Sequence, residues 1–370
     1  MKLALRELAR RPGRFAVAGV ILTLIAILLM FLGGLLDGLI ANSTGALRVQ
    51  QADRIVYSAT SKDSITRSRI EPSVRSEVTQ VVGAGKVGGL GSGQLGARLP
   101  DRGRRDLVPV VLFGYELAPR GLGASPPRDG EVYADAALRA EGITEGTVLK
   151  LGPARTEVTV VGFIDDSQYS GQATLWGSLD TWRSVLAANR PDATLGKGVV
   201  QALVVRDAPT DPATSQDIDQ ATDGVTHTLT VSEAIGALPG VSEQQTTFNQ
   251  IIGVTIVIAI VVVALFFALI TVERIGLYGM LKAIGASSRT LFAGVVLQAV
   301  LVTLGAAALG AAATLLLDAV IPAGAIPFEA TPSRLISSVA YLLVASIVGC
   351  AFSLRRVLKV DPAAAIGGSL

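Results

Sequence analysis

The sequence holds one cysteine, one histidine and, over 370 residues, a charged fraction of only 17%. A single cysteine, Cys350, inside an apolar run, excludes an intramolecular disulfide and leaves the redox compartment unmarked. A single histidine, His227, in a polar segment, leaves Ser–His or Cys–His catalysis little to work with. No His, Cys, Asp or Glu spacing suits a metal; Asp165, Asp166 and Asp180 are scattered and read as turns and a helix cap. Nucleotide motifs are also missing. Gly83–Val87 has a lysine followed by valine and lacks the glycine spacing of a P-loop. Gly91–Gly96 fits G-x-G-x-x-G, but Arg98, Pro100 and Gly103 follow where a helix should begin. A net charge of +2 gives no electrostatic reason to expect nucleic acid. The reading is therefore a non-enzyme without metal or bound cofactor.

What the chain has in abundance is apolar length. It is 50% hydrophobic with a mean hydropathy of +0.52, where ordinary soluble proteins carry about 25% charged residues. Four uncharged runs stand out: Phe15–Leu36 and Ile251–Val272 with 22 residues each, Thr290–Leu317 with 28, and Leu335–Leu354 with 20. Each reaches the ~20 residues a helix needs to cross a bilayer. The first holds 14 Leu, Ile, Val or Phe residues, so its insertion gains roughly 4 to 8 kcal/mol. It is too long for a signal-peptide core, lacks an A-x-A exit, and is expected to be retained. Asp37 follows it and is expected at the interface.

Basic residues set the orientation. Lys2, Arg6, Arg10, Arg11 and Arg14 precede the first run; Arg274, Lys282 and Arg289 lie between the second and third; Arg355, Arg356 and Lys359 follow the fourth. Asp207–Asn249 contains no Lys or Arg, and the stretch between the third and fourth runs has only Arg334. Both termini and residues 273–289 are thus expected in the cytoplasm, with a large domain outside.

The resulting fold class is an α-helical membrane protein with four transmembrane helices and a large α+β extracytoplasmic domain between spans one and two. Its parts are an amphipathic helix at 1–14, spans at 15–40, 247–272, 290–317 and 335–354, the outer domain at 41–246, a cytoplasmic connection at 273–289, an outer loop at 318–334 and a tail at 355–370. Pro12-Gly13 is expected to break the entry helix. Gly34 and Gly38 form a small-xxx-small pair that lets helices approach closely and are read as a contact between copies; Gly305, Ala306 and Gly310 repeat the signal in the third span, where Gln298 either bonds across helices or sits near the cytoplasmic end.

In the outer domain, strands are expected at Arg54–Ser58, Leu107–Tyr115, Glu131–Ala134, Gly146–Leu151, Glu157–Ile164, Ala173–Trp176 and Gly198–Arg206. Helices are expected at Ala136–Glu141, Asp180–Leu186, Asp211–Gly224 and Ser232–Leu238. Pro109 favours an edge position for its strand. A glycine-rich stretch lies between the first two strands.

The polar island Glu273–Arg289, ERIGLYGMLKAIGASSR, lies between two spans. Leu277, Met280, Leu281 and Ile284 repeat at i, i+3, i+4 and i+7, one face of a short helix. Gly285 suits a left-handed stop, and Ser287 or Ser288 suits the cap of the next helix. Periodicity alone fits either an interfacial anchor or a docking helix.

The segment ER-x-G-x-x-x-M-L-K-A-I-G-A resembles the cytoplasmic coupling segment of MacB/FtsX-like ABC-transporter permeases, and the tail LRRVLKVDPAAAI resembles that family's ending. The order of basic entry helix, span, outer domain, three spans and tail is similar throughout, with residues 130–186 resembling the smaller β-rich lobe. The resemblance implies a permease subunit in the bacterial cytoplasmic membrane. It implies a homodimer carrying two copies of a cytoplasmic ATPase that binds the ATP. Glu273, Arg274, Leu277, Met280, Leu281, Lys282, Ile284 and Gly285 would form the ATPase-coupling site, with Gly34 and Gly38 at the dimer contact. ATP-driven motion would reach the outer domain and expel a lipid, lipoprotein, peptide or drug-like molecule. The same architecture also fits a signalling device that regulates a cell-wall hydrolase, or works through another outer accessory protein, without moving substrate.

Overall fold

The computed structural model describes residues 12–357 apart from 101–102, 104–105, 194, 207–211, 274–275, 277–279, 281–283, 286 and 322–325. The expected amphipathic helix at 1–14 and the tail beyond 357 lie outside the described residues. The chain divides into two compact units: Leu39–Gln244 with 323–327, and the remainder.

The second of these is a helical bundle. Helix α1 spans Pro12–Arg48, α6 Val241–Val272, α7 Ser288–Val320 and α8 Pro332–Val357. All four are long and apolar enough to cross a membrane. Pro12 stands at the first described residue of α1, a position a helix tolerates because proline lacks only an N–H that the first turn leaves unpaired anyway. At 37 residues, α1 is about 55 Å long at 1.5 Å per residue, well beyond the ~30 Å of hydrocarbon.

In lipid, helices gain little from apolar burial alone, so close backbone approach and interhelical hydrogen bonds carry the packing. Both occur. A Cβ on Gly310 of α7 would fall 2.6 Å from that of Ala26 on α1, and one on Gly349 of α8 would fall 2.7 Å from the Ile260 carbonyl oxygen of α6. Thr303 donates to Ser346 across the α7–α8 contact at 2.9 Å, with both residues fully buried. Gln298 is buried as well. Phe15, Leu22, Phe267, Val295, Ala299 and Cys350 form one apolar cluster of the bundle, and Ala26, Leu29, Ala259, Ala307 and Ala345 belong to another.

The outer unit is built on nine strands: β1 Arg54–Ser58, β2 Val87–Arg98, β3 Val108–Tyr115, β4 Glu131–Asp135, β5 Val148–Leu151, β6 Thr156–Ile164, β7 Ala173–Ser178, β8 Ala202–Val205 and β9 Thr226–Thr230. Helices α2 (Pro72–Val82), α3 (Leu179–Asn189), α4 (Pro212–Ala221) and α5 (Val231–Gly236) complete it, with a 3₁₀ turn at Ala136–Glu141. The strand order is β3-β7-β4-β6-β5-β2-β8-β1-β9, and β3 also pairs with β2. Six strands, β2, β3, β7, β4, β6 and β5, therefore close on themselves. The pairs β3–β7 and β4–β6 are parallel, and the others antiparallel. Strand β2 belongs to both parts: Val87–Leu90 pair with β8, and Ala97–Arg98 with β5.

The glycine-rich stretch is not without an element: it is strand β2. Its glycines make room for α3, since a Cβ on Gly91 would fall 2.5 Å from the Trp182 ring and one on Gly93 would fall 2.6 Å from Leu186. Nor is β3 an edge strand. Pro109 sits opposite Gly96 at its start, and the pairing with β7 begins one residue later at Val110, so the missing N–H interrupts neither ladder. The β-rich part consequently extends beyond residues 130–186, because β4–β7 are closed by β2 and β3. Helix α2 and strand β9 fall where no element is expected.

Candidate functional site: the cytoplasmic connection and the helix roots

Helix α6 ends at Val272, and the N–H of Glu273 donates back to Leu269 O at 3.1 Å. Of the eight residues expected in the coupling site, Glu273, Met280, Ile284 and Gly285 are described; Arg274, Leu277, Leu281 and Lys282 lie outside the described residues. Ile284 N–H donates to Met280 O at 3.1 Å, the i to i−4 bond of a helical turn. Gly285 follows with φ +100°, a conformation that a Cβ resists, so the glycine ends the turn as its position suggests. Ser287, not Ser288, is the cap of α7, its Oγ accepting from Thr290 N–H at 3.2 Å. Met280 and Ile284, one helical turn apart, are 59% and 85% exposed. Two large apolar side chains on one face of a surface turn, uncovered within the chain, fit a face that meets either lipid or a partner.

At their other ends α1 and α6 are rooted in the outer unit. The last turns of α1 carry Asn42, Ser43, Gly45 and Ala46. The carbonyl oxygens of Asn42 and Ser43 accept from Gly171 and Ser170 N–H, each at 3.1 Å, and Ala46 N–H donates to Gln168 O at 3.0 Å. A Cβ on Gly45 would collide with the backbone of Asp166 and Gln168, so only glycine allows this crossing. Beyond the helix, Arg206 donates to Gln50 O from Nε and Nη2 at 3.1 and 2.6 Å, and to Ala118 O at 2.6 Å. Ala46, Leu47 and Val49 are buried among Ile55, Phe113 and Trp176. The start of α6 is fixed by Val241, which is buried in the same cluster, after a turn at Gly240 with φ +84°.

The root of α1 is not legible in the sequence, where the run Asn42-Ser43-Thr44-Gly45 after an apolar span is its signal. The same holds for the pair Asp37–Arg334, in which the Arg334 guanidinium meets the Asp37 carboxylate. Opposite charges at the outer ends of spans one and four were the available hint. His227 donates or accepts at Nδ1 with Asp63 Oδ1 at 2.7 Å, which agrees with a satisfied surface role. Among the described residues, no group of three or more His, Cys, Asp or Glu could hold a metal.

Residues 249–362 match the family FtsX-like permease C-terminal. This interval covers α6, the cytoplasmic connection, α7 and α8. Over its full length the chain is 22% identical to a protein of Staphylococcus haemolyticus provisionally named hemin transport system permease protein HrtB, covering 99% of that protein. The chain is similar to ABC-transporter permeases of the FtsX-like family. An uncharacterized ABC transporter permease of Mycobacterium tuberculosis is 36% identical to it over 113 residues, 30% of this chain and 31% of that one. The periplasmic region of MacB from Actinobacillus actinomycetemcomitans aligns with 52% of the chain at 9% identity and a TM-score of 0.32, covering 96% of that chain; at that score the likeness decides nothing. Its four long apolar helices agree with that similarity.

Proposed function

We propose that this chain is an ABC-transporter permease of the FtsX/MacB-like class which, as a homodimer bound to two cytoplasmic ATPase subunits, transmits their ATP-driven motion to its outer domain and thereby extrudes an amphiphile from the outer leaflet. The observation that carries this reading is the cytoplasmic connection: a turn with Met280 and Ile284 uncovered, stopped by Gly285, capped into α7 by Ser287, and lying within the interval that matches the permease family. Such a face can enter a groove on a partner as a helix-in-groove contact. Two continuous helices support the transmission, since both α1 and α6 run from a membrane span into a root in the outer unit. The cargo class comprises lipids, lipoproteins, peptides and drug-like molecules. The name of the staphylococcal relatives adds hemin to the molecules to be tested.

Leu281→Asp tests the coupling. A buried leucine contributes about 1.5–3 kcal/mol, and the variant also buries an unpaired charge. The expected outcome is normal membrane levels, loss of the ATPase on pull-down and loss of cellular activity. If Leu281→Asp keeps both the ATPase and the activity, the connection is a lipid anchor and the coupling site lies elsewhere. Cargo-stimulated ATP turnover in liposomes then separates extrusion from the alternative, regulation of a cell-wall hydrolase, which would instead show tight binding of that hydrolase to the full chain without cargo stimulation.

A further inference from the structure

The outer end of α1 and the segment entering α8 are joined by contacts of four physical kinds. The first is ionic: Arg334 meets Asp37 through Nε–H to Oδ2 at 3.1 Å and Nη2 to Oδ1. The second is a neutral hydrogen-bond layer, with Thr331 Oγ1 donating to Asp37 Oδ2 at 2.8 Å and Glu329 N–H donating to Gly34 O at 3.1 Å. The third is aromatic, Phe31 and Phe328 stacking with centroids 5.3 Å apart and planes at 26°. The fourth is steric: a Cβ on Gly33 would overlap the stem of Arg334, and one on Gly34 would fall 2.5 Å from the Phe328 ring. All of them fall on residues 31–37 of one helix and 328–334 of the other segment.

This convergence has a mechanical meaning. An Asp or Arg left unpaired at the edge of the hydrocarbon is costly, and the side chains of Arg334 and Asp37 are only 22% and 19% exposed. A single ion pair could open and close cheaply; an ion pair seated in a glycine notch beside a stacked aromatic pair has no such freedom, because tightly packed contacts have discrete arrangements and do not deform continuously. We infer that Asp37 and Arg334 are positioning residues that hold the outer ends of spans one and four as one moving part through the transport cycle. The inference rests on the permease reading above. It makes α8 a follower of α1, whose helix continues to Arg48.

The test uses the full chain with its ATPase in lipid nanodiscs, in a Cys350→Ala background. Spin labels at Leu28→Cys and Ile336→Cys report the distance between the two spans; both native side chains are exposed, at 47% and 70%. The expected distance distribution is narrow and the same without nucleotide and after ATP–vanadate trapping. Asp37→Asn and Arg334→Gln should each broaden it while ATP turnover and ATPase binding persist, and the exchange Asp37→Arg with Arg334→Asp should restore it. The inference is overturned if trapping shifts the parent distance, or if both neutralised variants keep the narrow distribution. A parent chain that retains no ATPase sinks the permease reading instead, while the distances measured without nucleotide still decide whether the pair holds the two spans together.

Discussion

At the residue scale, the outer domain depends on positions where a side chain is missing. Gly91, Gly93 and Gly114 form a flat patch of β2 and β3 onto which α3 lowers Trp182 and Leu186; a Cβ on Gly91 or Gly114 would fall 2.5 Å from Trp182. Trp182 is fully buried there. Gly91→Val should therefore destabilise the domain by about 1–3 kcal/mol through overpacking, visible as a lower unfolding midpoint, and Trp182→Leu in the same chain should recover part of the loss. If Gly91→Val leaves the midpoint unchanged, α3 does not rest on that glycine. A second residue-scale device precedes α6. Thr230 caps α5, its Oγ1 accepting from Glu233 N–H at 3.3 Å while the Glu233 carboxylate accepts from Thr230 N–H at 2.9 Å. The Thr230 backbone bond, and then its hydroxyl, hold the Glu233 carboxyl below its ordinary range. A depressed carboxylate stabilises the fold above its unfolded pKa, near 4.3, and that contribution is lost as the pH falls through the lower folded value. Thr230→Ala should cost roughly 0.5–2 kcal/mol at neutral pH, and the difference from the parent should shrink in acid. A difference independent of pH would place the cost elsewhere than in the reciprocal cap.

At the element scale, the sequence and the structure agree best where one signal dominates. Apolar length alone marks α1, α6, α7 and α8, and period-two alternation marks β6, whose residues Val158, Val160 and Ile164 point into the interior. Strand β2 escaped notice because five glycines hide a strand whose stabilisation comes from neighbours rather than from its own side chains. Pro109 misled because a proline can occupy the first pairs of an internal strand where the adjoining ladder has not yet begun. The connection was legible as a stop and a cap, and Gly285 and Ser287 occupy those roles. Gly34 was legible as a site of close approach, but the approach visible within one chain is to Phe328, and Gly38 is buried in the chain as well. Contact between copies then has an exposed face of α1 available: Val17, Val20, Ile21, Leu24 and Leu28 recur with helical spacing and remain uncovered. The joint at Asp37 and the root at Gly45 could not be read, since each depends on a partner distant in the chain.

At the scale of the whole molecule, function depends on which end of each helix faces the cytoplasm. The uneven placement of Lys and Arg predicts residues 273–289 inside and Leu39–Gln244 outside. The structure adds a refinement to that rule. Arg334, the only Lys or Arg in the 318–334 loop, opposes the bias, yet its charge is matched by Asp37 on the first span. A paired arginine at the outer edge does not pull its loop inward as an isolated one would, because the pair crosses or stays as a nearly neutral unit. The test needs one reactive thiol at a time. Cys350 is buried in α8, and Cys350→Ala removes it with a small change in volume. Ser170 and Ser287 are both exposed, the first in the turn that receives α1, the second at the cap of α7. In intact cells, a membrane-impermeant maleimide should label Ser170→Cys and not Ser287→Cys; after the membrane is opened, both should react. Labelling of position 287 from outside would reverse the second hairpin of spans, put the cytoplasmic connection out of reach of any ATPase, and remove the basis of the coupling proposal. Protection of position 170 would show that the unit from Leu39 to Gln244 is not on the outer face. Only the pattern in which 170 reacts first and 287 reacts after permeabilisation agrees with both the charge asymmetry and the Asp37–Arg334 pair.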